Sequence, residues 1–289
     1  MDATVGADVR AEGLGLKGPR GWAFRGVTLD AEPGSLIAIE GPSGSGRTSL
    51  LLAFTGRMKP TEGVAAVAGF KLPRHMAALR RVSAVANVSG VTDLEPALTV
   101  GEHLRERALL QRRFDDSLRE LLRPRAQRTH EARLRVDAAL AAAGLDLETL
   151  PKGSRTAVRD LERPQEVRLS LALALLGRPR LLGVDDIDMK LSDTERDEIW
   201  AVLRSLTRAG ATVAAVCRTA PGDCVTVRTG RTAAEPDGPG PRNAPGAEPD
   251  AGPEDDLAGG PDDEPQHESA RPEPKKEEAG DALTEAGRA

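Results

Sequence analysis

Apolar residues along this chain follow two rhythms. Over residues 7–40 short apolar stretches alternate with Gly and Pro turns, Val27-Thr28-Leu29 before Glu32-Pro33-Gly34 being typical, and this predicts β-structure. Leu36-Ile37-Ala38-Ile39 is an unbroken apolar run, and after a glycine-rich segment Thr48-Ser49-Leu50-Leu51-Leu52-Ala53-Phe54 reads as a helix. Pro60-Thr61-Glu62-Gly63 turns into a short strand over 64–69, and 82–86 predicts another. From Thr99 to about Gly144 the rhythm becomes helical. Leu104, Leu109-Leu110, Leu118, Leu121-Leu122, Leu134, Val136 and Leu140 recur there among many arginines.

The first pattern then resumes. Gln165–Leu176 predicts a helix stopped by Gly177 and Pro179, and Leu181-Leu182-Gly183-Val184 a buried strand ending at Asp185-Asp186. Ser192 with Glu195 three positions on is a capping box, opening a helix through Leu206. Residues 211–217 predict a further strand and Cys224–Arg228 the last. Alternating strands and helices point to an α/β fold.

Between the run 36–39 and its helix stands Gly41-Pro42-Ser43-Gly44-Ser45-Gly46-Arg47-Thr48-Ser49. A strand, a glycine-rich turn and a helix N-terminus together form a phosphate cradle. Glycines let backbone N–H groups converge on an anion, and the helix dipole adds partial positive charge. The P-loop pattern asks for Gly, four residues, Gly, Lys, then Ser or Thr. Arg47 replaces the Lys. The alternative is a chance Gly/Ser turn, but the strand and helix on either side favour a phosphate site. Such a loop becomes a nucleotide site when a second strand delivers a carboxylate beside Mg²⁺. Asp185 supplies that carboxylate, and Thr48 the hydroxyl ligand.

Composition changes the picture at the C-terminus. From Arg231 onward six Lys/Arg stand against sixteen Asp/Glu, while the first 230 residues carry a net charge of +5. That tail also holds ten of the 21 prolines and almost no large apolar residues. It cannot bury enough surface to offset its ordering entropy, so residues 232–289 are expected to be disordered. Both a regulatory or docking segment and a solubilising appendage fit such a tail. Aromatics are only 2% and Tyr is absent, so the core must be built from Leu, Val and Ala. Cys217 and Cys224 fit no metal spacing and suggest no disulfide framework. No apolar run approaches the ~20 residues that span a bilayer, and the start, 1–13, lacks the apolar centre of a signal peptide. Acidic residues interleave with the arginines of 105–128, and almost no aromatics stand among them. A solvated helical face is therefore expected, not a nucleic-acid surface.

From about residue 7 to 231 the order of parts resembles the ATP-binding cassette ATPases, the nucleotide-binding subunits of ABC transporters. Leu161-Glu162-Arg163-Pro164-Gln165 stands where that family carries Leu-Ser-Gly-Gly-Gln. Asp185-Asp186 stands for its Asp-Glu pair and Asn87 for its Q-loop glutamine. Met189-Lys190-Leu191-Ser192 falls at the D-loop, Arg218 at the switch histidine, and Thr99–Leu104 where the helical subdomain opens.

The resemblance implies a P-loop NTPase core over residues 1–231 with a helical subdomain near 100–165. It implies ATP and Mg²⁺ as cofactors, with residues 41–49 on the phosphates and Thr48, Asn87 and Asp185 about the metal. Asp186 would orient the attacking water and Arg218 would face the phosphates. It further implies a homo- or heterodimer, a membrane-spanning partner, and a cytoplasmic place at the membrane through that partner.

The departures bear on activity. Arg47 replaces a point charge with a bulky planar fork. Asp186 is one methylene short of Glu, and Asn87 is shortened likewise. Arg218 cannot accept a hydrogen bond as neutral His can. Arg163 lengthens the signature, and Pro164 has no N–H to give. A variant that still hydrolyses slowly is one reading; binding with little turnover is the one favoured. Outside this class stands a nucleotide-gated regulatory or scaffold protein without hydrolysis. Trp22, the candidate for stacking on adenine, is expected instead to be a core or surface anchor.

Overall fold

The computed structural model describes residues 5–115 and 125–230. The acidic tail lies outside these, as do Leu118, Leu121 and Leu122 of the helical stretch. Among the described residues nine strands form two sheets. Strands β1 (Val9–Gly18), β2 (Gly21–Ala31), β4 (Glu62–Val67) and β5 (Phe70–Leu72) make an antiparallel sheet in the order β2-β1-β4-β5. Strands β3 (Leu36–Glu40), β6 (Ser83–Ala86), β7 (Leu181–Val184), β8 (Thr212–Cys217) and β9 (Val225–Arg228) make a parallel sheet in the order β6-β7-β8-β3-β9. The described helices are α1 (Arg47–Phe54), α2 (Met76–Val82), α3 (Val100–Asp115), α4 (Arg125–Ala143), α5 (Arg163–Leu175) and α6 (Asp193–Arg208).

The parallel strands read as unbroken apolar runs because the sheet is covered on both faces. Alternate residues of one strand enter two different cores. Leu36 and Ala38 of β3, with Val213 and Ala215 of β8, join the core shared with α3, α4, α5 and α6. Ile37 and Ile39, with Ala214 and Val216, join the core formed with α1 and the antiparallel sheet. Phe24, Phe54, Leu50 and Leu51 are fully or almost fully buried there. As the scarcity of aromatics required, Leu, Val, Ile and Ala make up nearly all of both.

Two expectations are corrected in detail and a third is kept. The helix expected from Gln165 begins at Arg163, because Glu162 takes an extended backbone and its N–H donates to Gln165 Oε1 at 3.0 Å. That reciprocal cap places Arg163 and Pro164 inside the first turn, where Pro lacks only an N–H with no helical partner. Helix α2 and strand β5 were not foreseen; with seven and three residues they are too short for their period to be read. Trp22 lies on β2, its ring approached by Lys17 at 5.4 Å and Arg25 at 4.6 Å, in keeping with an anchoring residue on the antiparallel sheet.

Candidate nucleotide site

All five parallel strands deliver residues to one edge of the sheet, as open α/β sheets do at their carboxyl ends. The loop after β3 is residues 41–46, Asn87 follows β6, Asp185 and Asp186 follow β7, Arg218 follows β8, and Thr229 follows β9. Gly46 is required twice over: its φ is +83°, and a Cβ there would stand 1.9 Å from the Ala23 carbonyl oxygen. The loop is thereby pressed against β2. On its other side the Ser45 and Thr229 hydroxyls share a hydrogen bond of 2.7 Å.

Helix α1 starts at a glycine with no side-chain cap and no acidic residue in its first turn, so among the described residues no capping side chain takes its leading N–H groups. In that turn the Thr48 hydroxyl donates to Asp185 Oδ2 at 2.8 Å. Asp185 is 5% exposed, and its other oxygen, Oδ1, is buried without a hydrogen-bond partner among the described residues. Burial pushes its pKa up; the Thr48 hydrogen bond opposes that shift and the neighbouring Asp186 adds to it. An uncapped helix N-terminus suits an anion, and an orphaned buried carboxylate oxygen beside a hydroxyl suits a cation. These residues therefore fit a phosphate with its Mg²⁺.

The remaining candidates are brought to the same edge but hold one another. Arg47 Nη1 donates to the Cys217 carbonyl at 2.7 Å, tying the loop's cation to the end of β8. Arg218 is exposed, and its backbone N–H donates to the Asp188 carboxylate. Asp186 has φ +49° and borders a cleft of about 600 Å³ with Asn87, Arg163, Glu166 and Ser170. The Asn87 N–H donates to Ser170 Oγ at 2.7 Å and its side-chain amide to the Asp185 carbonyl at 2.7 Å. Of the signature segment, Arg163 reaches Asn87 of its own chain; Leu161 lines the cleft and Pro164 is buried.

Sequence reasoning missed the partners that hold these groups: Thr229, Asp188, Ser170, Glu166 and the Cys217 carbonyl. Ser170 alone left a signal, as a hydroxyl within the apolar run of its helix.

A family model described as ABC transporter matches residues 24–188, more than half of the chain. The chain belongs to the ABC transporter family. It is 29% identical over 188 residues to the Nod factor export ATP-binding protein I of Cupriavidus metallidurans, covering 65% of this chain and 55% of that protein. With the arabinose import ATP-binding protein AraG of Burkholderia pseudomallei it shares 27% over 206 residues, 71% of this chain and 38% of the relative. The chain thus spans about half or less of the length of these curated relatives. The dimeric ATP-binding cassette MJ0796 bound to ADP and Pi superposes with a TM-score of 0.57 at 23% identity, over 73% of this chain and 88% of that one. The fold is that of the ABC ATPase cassettes. Among the described residues no helix is long and apolar enough to cross a membrane.

Proposed function

We propose that the chain is an ATP-binding subunit of an ABC transporter-like membrane system, that it binds Mg-ATP at residues 41–49, and that it hydrolyses ATP weakly or only with a partner. The observation that carries the reading is the Thr48–Asp185 pair, with its orphaned Asp185 oxygen, beside the uncapped start of α1. The backbone of 41–46 and the first turn of α1 hold the phosphates. Thr48 and Asp185 hold Mg²⁺, with Asn87 as the third group about it. The metal's contribution is to neutralise charge on the phosphates. Asp186 orients water from a shorter reach than Glu, and misplacement of about 1 Å can cost roughly 100-fold.

Transport is supported by the family and by the import and export subunits among its relatives. On this reading a membrane-spanning partner supplies the passage, a second ABC domain completes the site, and the chain works at the cytoplasmic face of the membrane. The alternative of a regulator without transport has no observation in its favour.

A ligand that binds only the folded state raises stability by mass action. Millimolar Mg-ATP is therefore expected to raise the melting temperature, and Thr48→Ala to remove the Mg²⁺-dependent part. A melting temperature indifferent to Mg-ATP in the unaltered protein defeats the reading.

A further inference from the structure

The carboxamide of Asn87 is held at both ends. Its Nδ2 donates to the Asp185 carbonyl at 2.7 Å, and its Oδ1 accepts from Arg163 Nη2 at 2.9 Å. Turning the amide over would set its oxygen against a carbonyl and its N–H groups against a guanidinium, two repulsions, so the hydrogen bonds determine its orientation. Arg163 is itself fixed: Nη1 pairs with Glu166 at 2.9 Å and Nε points to the Met189 carbonyl at 3.5 Å. Its side chain is only 22% exposed. One guanidinium thus joins the loop after β6, the first turn of α5 and the loop after β7.

Oδ1 is the one side-chain oxygen that Asn87 can offer a metal, and here it is turned toward α5. A guanidinium and a divalent cation on the same amide oxygen repel, and half-buried charges are poorly screened. We propose that Arg163 is a positioning residue acting within its own chain: it holds Asn87 away from the metal, so the Arg163–Asn87 bond and ligation of the cation by Asn87 exclude one another. Metal capture by Asn87 then requires the start of α5 to let go, and that release frees the signature arginine. Glu166 keeps the guanidinium in place and so supports the held state. The inference rests on the nucleotide-site reading above, and it concerns residues of this chain alone.

The test is a titration of the full-length protein with Mn²⁺, followed by its electron paramagnetic resonance signal, with ATP and without it. Arg163→Ala is expected to lower the Mn²⁺ midpoint roughly tenfold, the value of one lost hydrogen bond to a charged group. Glu166→Gln shifts it the same way by less, and serves if Arg163→Ala does not fold. In an Asn87→Ala background Arg163→Ala is expected to shift the midpoint much less, by the loss of the guanidinium's charge alone, because the oxygen at issue is gone. A purely structural Arg163 would show the opposite: a lower melting temperature and a weaker or unchanged midpoint.

An unchanged or raised midpoint in both variants overturns the proposal, as does the same shift in the Asn87→Ala background. If the unaltered chain binds no ATP, the nucleotide reading fails while the titration with Mn²⁺ alone still decides the latch. Absence of Mn²⁺ binding in every variant overturns both.

Discussion

Asp185 is a carboxylate that folding places where its charge is costly. Burial raises its pKa above the ordinary Asp value, and the Thr48 hydroxyl offsets that only in part. A folded pKa above the unfolded one means that the protonated form gains from folding. That gain is complete below the ordinary Asp pKa and is lost as pH rises through the raised one. At neutral pH the ligand-free protein carries the cost of a buried carboxylate with one oxygen unpartnered. Asp185→Asn is therefore expected to raise the melting temperature of the metal-free, nucleotide-free protein at pH 7 by about 2–4 °C, the equivalent of ~1 kcal/mol in a domain of this size. The difference from the unaltered protein should shrink as pH falls through the raised pKa, and is least below the ordinary Asp value, where Asp185 carries its proton in both states. Scanning calorimetry checks this, and a lower melting temperature in the Asn variant at pH 7 contradicts it. The same substitution should abolish the Mg²⁺-dependent increment, a cost in function for a gain in stability.

At the scale of elements, the helices that frame the site start at defined caps. Ser192 Oγ accepts from the Glu195 N–H at 3.3 Å, while the Glu195 carboxylate accepts from the Ser192 N–H at 2.7 Å. This box was legible in the sequence because both partners lie within four residues. Helix α6 buries Ile199, Trp200, Leu203 and Leu206, so its start sets how that face meets the sheet. Ser192→Ala should cost about 1 kcal/mol of unfolding free energy. Denaturant unfolding would show it as a lower midpoint with unchanged slope. Helix α1 is the contrary case, with glycine at its N-cap position and no side chain to satisfy its N–H groups. An element left incomplete at one end is what binding a phosphate requires.

At the scale of the molecule, the candidate site draws its groups from the ends of five strands and the first turn of α5. Arg47 is tied to β8, Asn87 to α5, and Arg218's backbone to Asp188, so several groups are committed to one another. On the proposed function, steady-state phosphate release by the protein alone should stay below about 1 s⁻¹, the low end for working enzymes. Glu162→Ser, Arg163→Gly and Pro164→Gly combined with Asp186→Glu and Arg47→Lys should raise it far more than any one change, since residues of one catalytic unit are strongly non-additive. Turnover of ~1 s⁻¹ or above in the unaltered protein refutes weak hydrolysis.

What the sequence determined by itself is whatever local chemistry decides. The unbroken apolar runs announced strands covered on both faces, and Gly41–Ser49 announced a turn that leads from a strand into a helix N-terminus. The order of motifs placed Asp185, Asp186, Asn87 and Arg218 at strand ends before any coordinate did. Tertiary structure alone decided where the long polar side chains go. Arg47 takes the Cys217 carbonyl 170 residues away, and Arg163 takes Asn87, 76 residues away. Neither pairing leaves a trace in sequence, because a guanidinium with five donors bonds whichever acceptors folding brings within reach. The same holds for Thr229, an ordinary hydroxyl until the sheet assembles around it. Backbone pattern is written in neighbours a few residues apart, whereas the state of a site depends on contacts that exist only once the strands lie side by side.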